Sequence, residues 1–375
     1  MTSTAIPFAN PAGDLKPFRR EIVAAIEEVI DRGQYVLGEA VGAFERRMAQ
    51  LLGVSGTVGV GSGTDALVLA LLAVGVEPGQ EVITVSHTAG PTVAAVHMAG
   101  AVPVLVDIEA DTYCLDPLRL EAAIGPRTKA ILPVHLYGHP AALDAICAIA
   151  ARHGLAVVED CAQAHDATIE GRAVGAIGDV GCFSFYPTKN LGAIGDAGLV
   201  TARDPRLVER LRRLRTYGWS KPQFSEIANG RCSRLDELQA AILSVKLAHL
   251  TQQTERRREL ASRYNEAFAG LPLVCPIERL GCRRVFHLYV IRCAAREALA
   301  AHLGAAGITT GRHYPYPVHR QPGLAAGARI GGPLTTTERI SGEILTLPLY
   351  PSLSDAQQER VIAAVHSFFA TKRAR

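Results

Sequence analysis

Three short stretches of this chain carry side chains that could do chemistry at the edge of an α/β sheet. The first is Gly59-Val60-Gly61-Ser62-Gly63-Thr64-Asp65-Ala66-Leu67. A glycine-rich turn between a strand and a helix exposes backbone N–H groups at the positive end of the helix, which suits a phosphate, and Thr64 adds a hydroxyl. The third glycine comes too early for a dinucleotide fingerprint, and the same residues could make no more than a tight turn. The second stretch is Val157-Val158-Glu159-Asp160-Cys161-Ala162-Gln163-Ala164-His165. Acids at the carboxyl end of an apolar parallel strand lie where such sheets place their sites. The Asp160 carboxylate could face a protonated ring nitrogen, or only cap a helix; Gln163 offers an amide donor. The third runs from Gly181-Cys182-Phe183-Ser184 through Phe185-Tyr186-Pro187-Thr188-Lys189 to Gly192. A lysine bracketed by aromatic residues and glycines loses solvation, falls in pKa and becomes a nucleophilic amine toward an aldehyde. Ser184 could serve a phosphate. An isolated lysine belongs on the surface, but the aromatic bracket and the acidic strand end argue otherwise for Lys189. An aldehyde, a phosphate and a basic ring nitrogen are together the needs of pyridoxal 5'-phosphate.

Such residues must be held by rigid elements, and the pattern supplies them. From residue 57 short apolar runs alternate with helical periods. Strands are expected at 57–60, 81–86, 102–107, 129–135, 155–159, 181–186 and 198–202. Helices are expected at 64–74, up to about 99, from Asp116, and at 141–153. This interleaving implies a mostly parallel sheet covered on both faces. Before it, residues 1–15 read as an extended arm punctuated by prolines, and 18–32 as a helix stopped by Gly33. After it, 233–268 reads as one long helix bridging two units. Then come a strand (285–293), a helix (296–306), a strand (308–313) and a last helix (355–371). The expected division is an arm at 1–15, a large α/β unit at 16–250 and a smaller α+β unit at 251–375.

The 375 residues carry 39 Lys and Arg against 36 Asp and Glu, a net charge of +3. That balance lacks the dense basic face of a nucleic-acid binder. The basic runs at 210–215, 256–258 and 372–375 read as solvated faces. No apolar run is long enough to span a bilayer, and the first ten residues do not read as a secretory signal. Eight cysteines stand singly, with no CxxC pair that would suggest zinc. A cytoplasmic protein with reduced thiols is expected, with no metal.

Taken together, the motifs resemble the DegT/DnrJ/EryC1/StrS sugar aminotransferases, of the aspartate-aminotransferase fold (fold type I). The likeness runs along nearly the whole chain, through Pro133-Val134-His135-Leu136-Tyr137-Gly138 and Ser233-Arg234-Leu235-Asp236-Glu237-Leu238-Gln239 besides the stretches above. It implies a pyridoxal-phosphate enzyme. Lys189 would carry the cofactor and shuttle the proton, Asp160 would pair with the ring nitrogen, and Gln163 would meet the phenolic oxygen. Gly63, Thr64 and Ser184 would bind the phosphate, and Asp65 is a further cofactor-binding candidate. A homodimer with shared sites is implied. The chain departs from the family at Cys232, where an Asn usually reaches the partner's phosphate and where Asn229 or Arg231 could substitute. It departs again at Ala89, where an aromatic ring usually stacks on the cofactor and His87 is the nearest flat side chain. Asp166 replaces a common glycine.

Lys189-Asp160 chemistry does not name a substrate. The segment 307–319, with His313, Tyr314 and His319, resembles members that aminate C3 of a nucleotide-linked 3-keto sugar, and Tyr186 is a further substrate candidate. The implied reaction is ping-pong transfer from L-glutamate to a dTDP-3-keto-6-deoxyhexose. A UDP-linked 3-keto-uronate or a 4-keto sugar is the nearest rival. Two readings stand outside the class. A nicotinamide oxidoreductase would want an acid ending the strand at 81–86, which ends Ser86-His87 instead. A non-catalytic binding protein of the same fold would not need both Lys189 and Asp160.

Overall fold

Strands rich in valine, isoleucine and leucine are stable only when both faces are covered, and the computed structural model, which describes residues 5–373, shows such a sheet. The first four residues of the expected arm and the end of the basic tail lie outside the described residues. In chain order the strands are β1 (Gly56–Val60), β2 (Glu81–Val85), β3 (Val102–Val106), β4 (Thr128–Ile131) and β5 (Ala156–Asp160). A small hairpin, β6 (Thr168–Ile169) and β7 (Arg172–Ala173), lies outside the sheet; β8 (Val180–Ser184) and β9 (Gly198–Ala202) complete the run. The sheet order is β1-β9-β8-β5-β4-β2-β3, with Arg329–Ile330 as an eighth strand beside β3. β9 pairs antiparallel with both β1 and β8, and the other pairings are parallel. The ends of β1, β5 and β8 therefore open on one edge.

The helix Gly63–Ala73 is apolar all round, and residues 66–73 are all buried, as a helix enclosed between sheet and outer helices must be. Ser62 caps it by accepting the Asp65 N–H at 3.1 Å. The helix Pro205–Leu214 buries Val208, Leu211 and Leu214 and turns most of its arginines outward. Arg215 is an exception to the solvated face: it is buried and pairs with Glu45 at 2.5 Å. Arg257, within the second basic run, is buried as well.

Other sequence expectations shift. The long helix expected at 233–268 is two, Glu237–Leu247 and Leu250–Ala267. The chain breaks at His249, whose ring stacks on Phe18 with centroids 4.2 Å apart. No glycine or proline marks that break, so it is a tertiary effect. The strand expected at 308–313 is absent; Ile308 and Gly311 make only isolated bridges, to Ile6 and Thr346. Part of the arm is a short helix, Pro11–Leu15, capped by Asn10. Ile6 joins the apolar cluster of the C-terminal part, with Leu260, Tyr264, Tyr289, Leu347 and Val361.

The helix Glu39–Leu52 has no counterpart in the sequence reading, and neither has Thr335–Glu343. The N-cap of the first is Gly38, which carries no capping side chain; the cap comes from Glu237, across the chain. That buried carboxylate accepts the N–H groups of Gly38 (2.7 Å), Ala40 (2.9 Å) and Val41 (3.0 Å). Glu237→Ala would strand all three at the positive end of the helix. A loss of about 3 kcal/mol is expected by chemical denaturation. A loss under about 1 kcal/mol would contradict this account of the cap.

Candidate active site

The open edge of the sheet gathers the reactive residues because their strands are neighbours. Asp160, the last residue of β5, pairs with Cys182 of β8. Ser184, the last of β8, pairs with Gly198, which pairs in turn with Val60 of β1. Gly63 opens the helix after β1, and a Cβ there would lie 2.5 Å from the Ser184 Cβ. Only glycine lets these two come so close. The Gly63 and Thr64 N–H groups lie in the first helical turn, where no intrahelical acceptor exists. Two N–H groups and two hydroxyls thus converge on one spot, as a phosphate requires.

This spot belongs to a cavity of about 250 Å³ whose walls include Thr64, Ala89, Asp160, Gln163, Ser184 and Lys189. The Asp160 carboxylate accepts from Ala162 N–H at 3.1 Å and from the Thr92 hydroxyl at 2.9 Å. Thr92 is paired in turn with Thr88 at 2.9 Å. Burial nevertheless lifts the Asp160 carboxyl above its usual range. Lys189 presents part of its surface to the cavity but is otherwise enclosed by protein. Its backbone N–H bonds to Tyr186 O at 2.8 Å; its amine makes no hydrogen bond or ion pair among the described residues. Burial draws its pKa down to about 8, and Asp160 opposes that shift. Gln163 accepts the Tyr137 N–H at 2.7 Å and donates to the Tyr314 hydroxyl at 2.9 Å. A phosphate cradle, a buried carboxylate and an unpartnered amine in one cavity fit pyridoxal phosphate.

The structure places other sequence candidates apart from this cavity. His87 does not stand in for the stacking ring: it is fully buried, its Nε2 lies 2.8 Å from the Tyr137 hydroxyl, and burial lowers its pKa to about 4. The wall at that position is Thr88, Ala89 and Pro91. Asp65 turns away to accept from the Ser233 hydroxyl at 2.8 Å, and Ser233 accepts from Gly61 N–H at 3.0 Å. It braces the glycine turn and does not line the cavity. His319 lies on neither side of Lys189; it bonds Ser86 (2.7 Å) and Glu338 (3.2 Å) and fastens the 318–320 turn to the end of β2. Asn229 is exposed at a positive φ on an outer loop, and Cys232 is exposed too. Asp166 also has positive φ, which explains glycine's use there, and its carboxylate pairs with Arg283 at 2.8 Å. Tyr186 lines the cavity. Tyr314 reaches it through Gln163, and His313 is held by the Thr346 hydroxyl at 2.8 Å.

Sequence reasoning passed over Thr88 and Thr92, which support Asp160 and stand on the helix Gly90–Met98 and the turn before it. It also left open the role of Glu159. That carboxylate accepts from Gly175, Ile177 and Gly178 N–H at 2.6–2.9 Å and faces His135 Nε2 at 3.0 Å. His135 Nδ1 accepts from Ala141 N–H at 2.9 Å. With Cys161 these side chains could ring a metal. Both His135 nitrogens and both Glu159 oxygens are already bonded, so the group is a structural clamp beneath Asp160.

Comparison with known proteins agrees with this geometry. The model of the DegT/DnrJ/EryC1/StrS aminotransferase family matches residues 17–366. A dTDP-3-amino-3,4,6-trideoxy-alpha-D-glucose transaminase of Streptomyces venezuelae is 47% identical over 364 residues, covering 97% of this chain and 96% of its own. A dTDP-3-amino-3,6-dideoxy-alpha-D-galactopyranose transaminase of Aneurinibacillus thermoaerophilus is 42% identical, covering 97% and 99%. The crystal structure of S. venezuelae DesV in complex with a ketimine intermediate superposes with a TM-score of 0.94 at 46% identity, covering 98% of this chain and 99% of that one.

Proposed function

The chain belongs to the DegT/DnrJ/EryC1/StrS aminotransferase family, and on that premise we propose that it moves an amino group from L-glutamate to C3 of a dTDP-linked 3-keto-6-deoxyhexose. It is a pyridoxal-phosphate-dependent sugar aminotransferase of fold type I. The observation that carries the aminotransferase chemistry is the unpartnered Lys189 amine facing one cavity with Asp160. Relatives along the full length that are named as C3 transaminases support the position on the sugar.

When bound, the cofactor supplies a ring that accepts the electron pair left when a C–H bond beside the nitrogen is broken. Gly63, Thr64 and Ser184 hold its phosphate. Asp160 keeps a proton on the ring nitrogen: a buried carboxyl with a raised pKa ionises readily once a cation faces it. Gln163, fixed by the Tyr137 backbone, holds the ring's oxygen. With the cofactor in place, Lys189 would serve as the base that takes the proton from Cα of the amino donor in one half-reaction and as the acid that supplies one to C3 of the sugar in the other. Tyr186, His313 and Tyr314 line the way to Lys189 and are assigned to the substrate.

We also read a homodimer, in which the exposed loop around Asn229 and Cys232 reaches the partner's site. The division at 16–250 and 251–375 belongs to this reading, supported by the break at His249 and the separate apolar cluster around Ile6 and Tyr264. No helix among the described residues is long and apolar enough to cross a membrane, and the eight cysteines are free thiols. A cytoplasmic address fits both.

The test is the visible absorption of the protein with pyridoxal phosphate. L-glutamate is expected to bleach it, and a panel of dTDP- and UDP-linked 3-keto and 4-keto sugars to restore it, with the dTDP-3-keto-6-deoxyhexose fastest. A colourless protein indifferent to glutamate would overturn the reading. The pH dependence of cofactor attachment is a second check. The free amine is the reactive form, so the attachment rate should rise with pH through about 8, the lowered Lys189 pKa, and level off above it. A rate still climbing tenfold per pH unit beyond about pH 9.5 would show an ordinary, solvated lysine.

A further inference from the structure

Lys189 lines a second cavity, of about 360 Å³, that faces the N-terminal segment Phe8–Pro11. Two of its wall residues are buried cations without an anion. Arg257 is 5% exposed and gives its Nη1 to the carbonyls of Phe286, His287 and Leu349 at 3.2–3.4 Å. Lys246 is 6% exposed and bonds the Gly192 carbonyl. Neither makes an ion pair among the described residues. Among the described residues the one carboxylate on the wall is Asp14, and its Oδ1 already accepts from Ser352 N–H at 2.9 Å. Burial lowers the Lys246 pKa to about 8 and the Arg257 pKa to about 10, with the attraction of Asp14 opposing but not cancelling it.

A buried cation is tolerated when something pairs with it. Here two stand together in a cavity that Lys189 also lines. A ligand with an anionic end and an amino end would satisfy both sides at once. A planar guanidinium and an ammonium suit a carboxylate. The cavity's volume accommodates a five-carbon dicarboxylate.

We propose that this cavity receives the amino donor, an α-amino dicarboxylic acid, with Arg257 and Lys246 binding its side-chain carboxylate. The proposal rests on the aminotransferase reading above and gives it a basis for choosing among amino acids.

The experiment uses the holoenzyme and two readouts. In stopped flow, Lys246→Met is expected to raise the half-saturating L-glutamate concentration at least tenfold and to erase the preference for L-glutamate over L-alanine. In calorimetry, glutarate, which has two carboxylates and no amine, is expected to bind the unaltered protein and to bind Lys246→Met at least tenfold more weakly. Methionine is unbranched, nearly as long as lysine, and adds no unpaired charge, so folding should survive. Arg257→Gln, which risks the three carbonyl contacts, is the second variant and should act in the same direction. Unchanged glutamate saturation with unchanged glutarate binding would overturn the proposal. So would an effect confined to the keto-sugar half-reaction, which would assign the cations to the sugar nucleotide. An unaltered protein inert to every amino acid would overturn the aminotransferase reading instead, and glutarate calorimetry would still decide this site.

Discussion

Lys189→Ala is expected to lower turnover by about 10⁴-fold while leaving the protein folded. Two losses combine. The cofactor loses its attachment, and each half-reaction loses the group that moves its proton. Stability should not suffer, because the Lys189 amine makes no hydrogen bond or ion pair whose removal would leave a partner stranded. Its burial is itself a cost, seen in the pKa of about 8, and alanine removes that cost. The thermal midpoint should therefore stay level or rise. Lys189→Arg should be as inactive as the alanine variant, since a guanidinium does not give up its proton near neutrality. Single-turnover rates with L-glutamate, read beside thermal unfolding, make the check. Activity within tenfold of the unaltered protein would remove Lys189 from the mechanism.

Asp160→Asn should reduce turnover by about 10³-fold at nearly constant stability. Asparagine keeps the shape, and its carbonyl can still accept the Ala162 N–H. Its amide hydrogens would then face Thr92, whose hydroxyl can accept from the amide and donate to Thr88 instead. The stability change is expected to stay within about 1 kcal/mol. What disappears is the negative charge that keeps a proton on the ring nitrogen. Turnover within fivefold of the unaltered protein would mean that the ring needs no such partner. A collapse of folding would mean that the Thr88–Thr92–Asp160 chain matters first for structure.

The parts of this site that could be read from the sequence are those held by local geometry. A strand, a glycine turn and a helix place Gly63 and Thr64 without help from distant residues. Asp160 and Lys189 each follow an apolar strand, and the sheet order does the rest. What stayed hidden depends on contacts between remote segments. Glu237 caps a helix that begins at Glu39, so the helix carries no start signal of its own. His249 breaks a continuous helical pattern because Phe18 stacks on it. His87 and His319 are flat, polar and near the right strands, but sequence cannot say which way a side chain faces at the end of a strand. One points beneath the cavity and the other fastens a turn. Arg257 sat inside a basic run that reads as solvent-facing, and nothing local marks it as the buried member.

The contact of Ile6 with the backbone of Gly307 and Thr309 bears on how the protein is made. A ribosome releases the chain from its N-terminus, and domains tend to fold as they emerge. By residue 202 the nascent chain holds β1 to β9, with Gly63, Asp160, Ser184 and Lys189 in hand. The segment Phe8–Pro11 leaves the ribosome before those strands, but the backbone partners of Ile6, Gly307 and Thr309, and the ring partner of Phe8, His313, come only after them. The wall that faces Arg257 is thus among the last to close. A nascent or truncated chain ending before that point would have the means to grip its cofactor but an open space where the amino donor is proposed to sit.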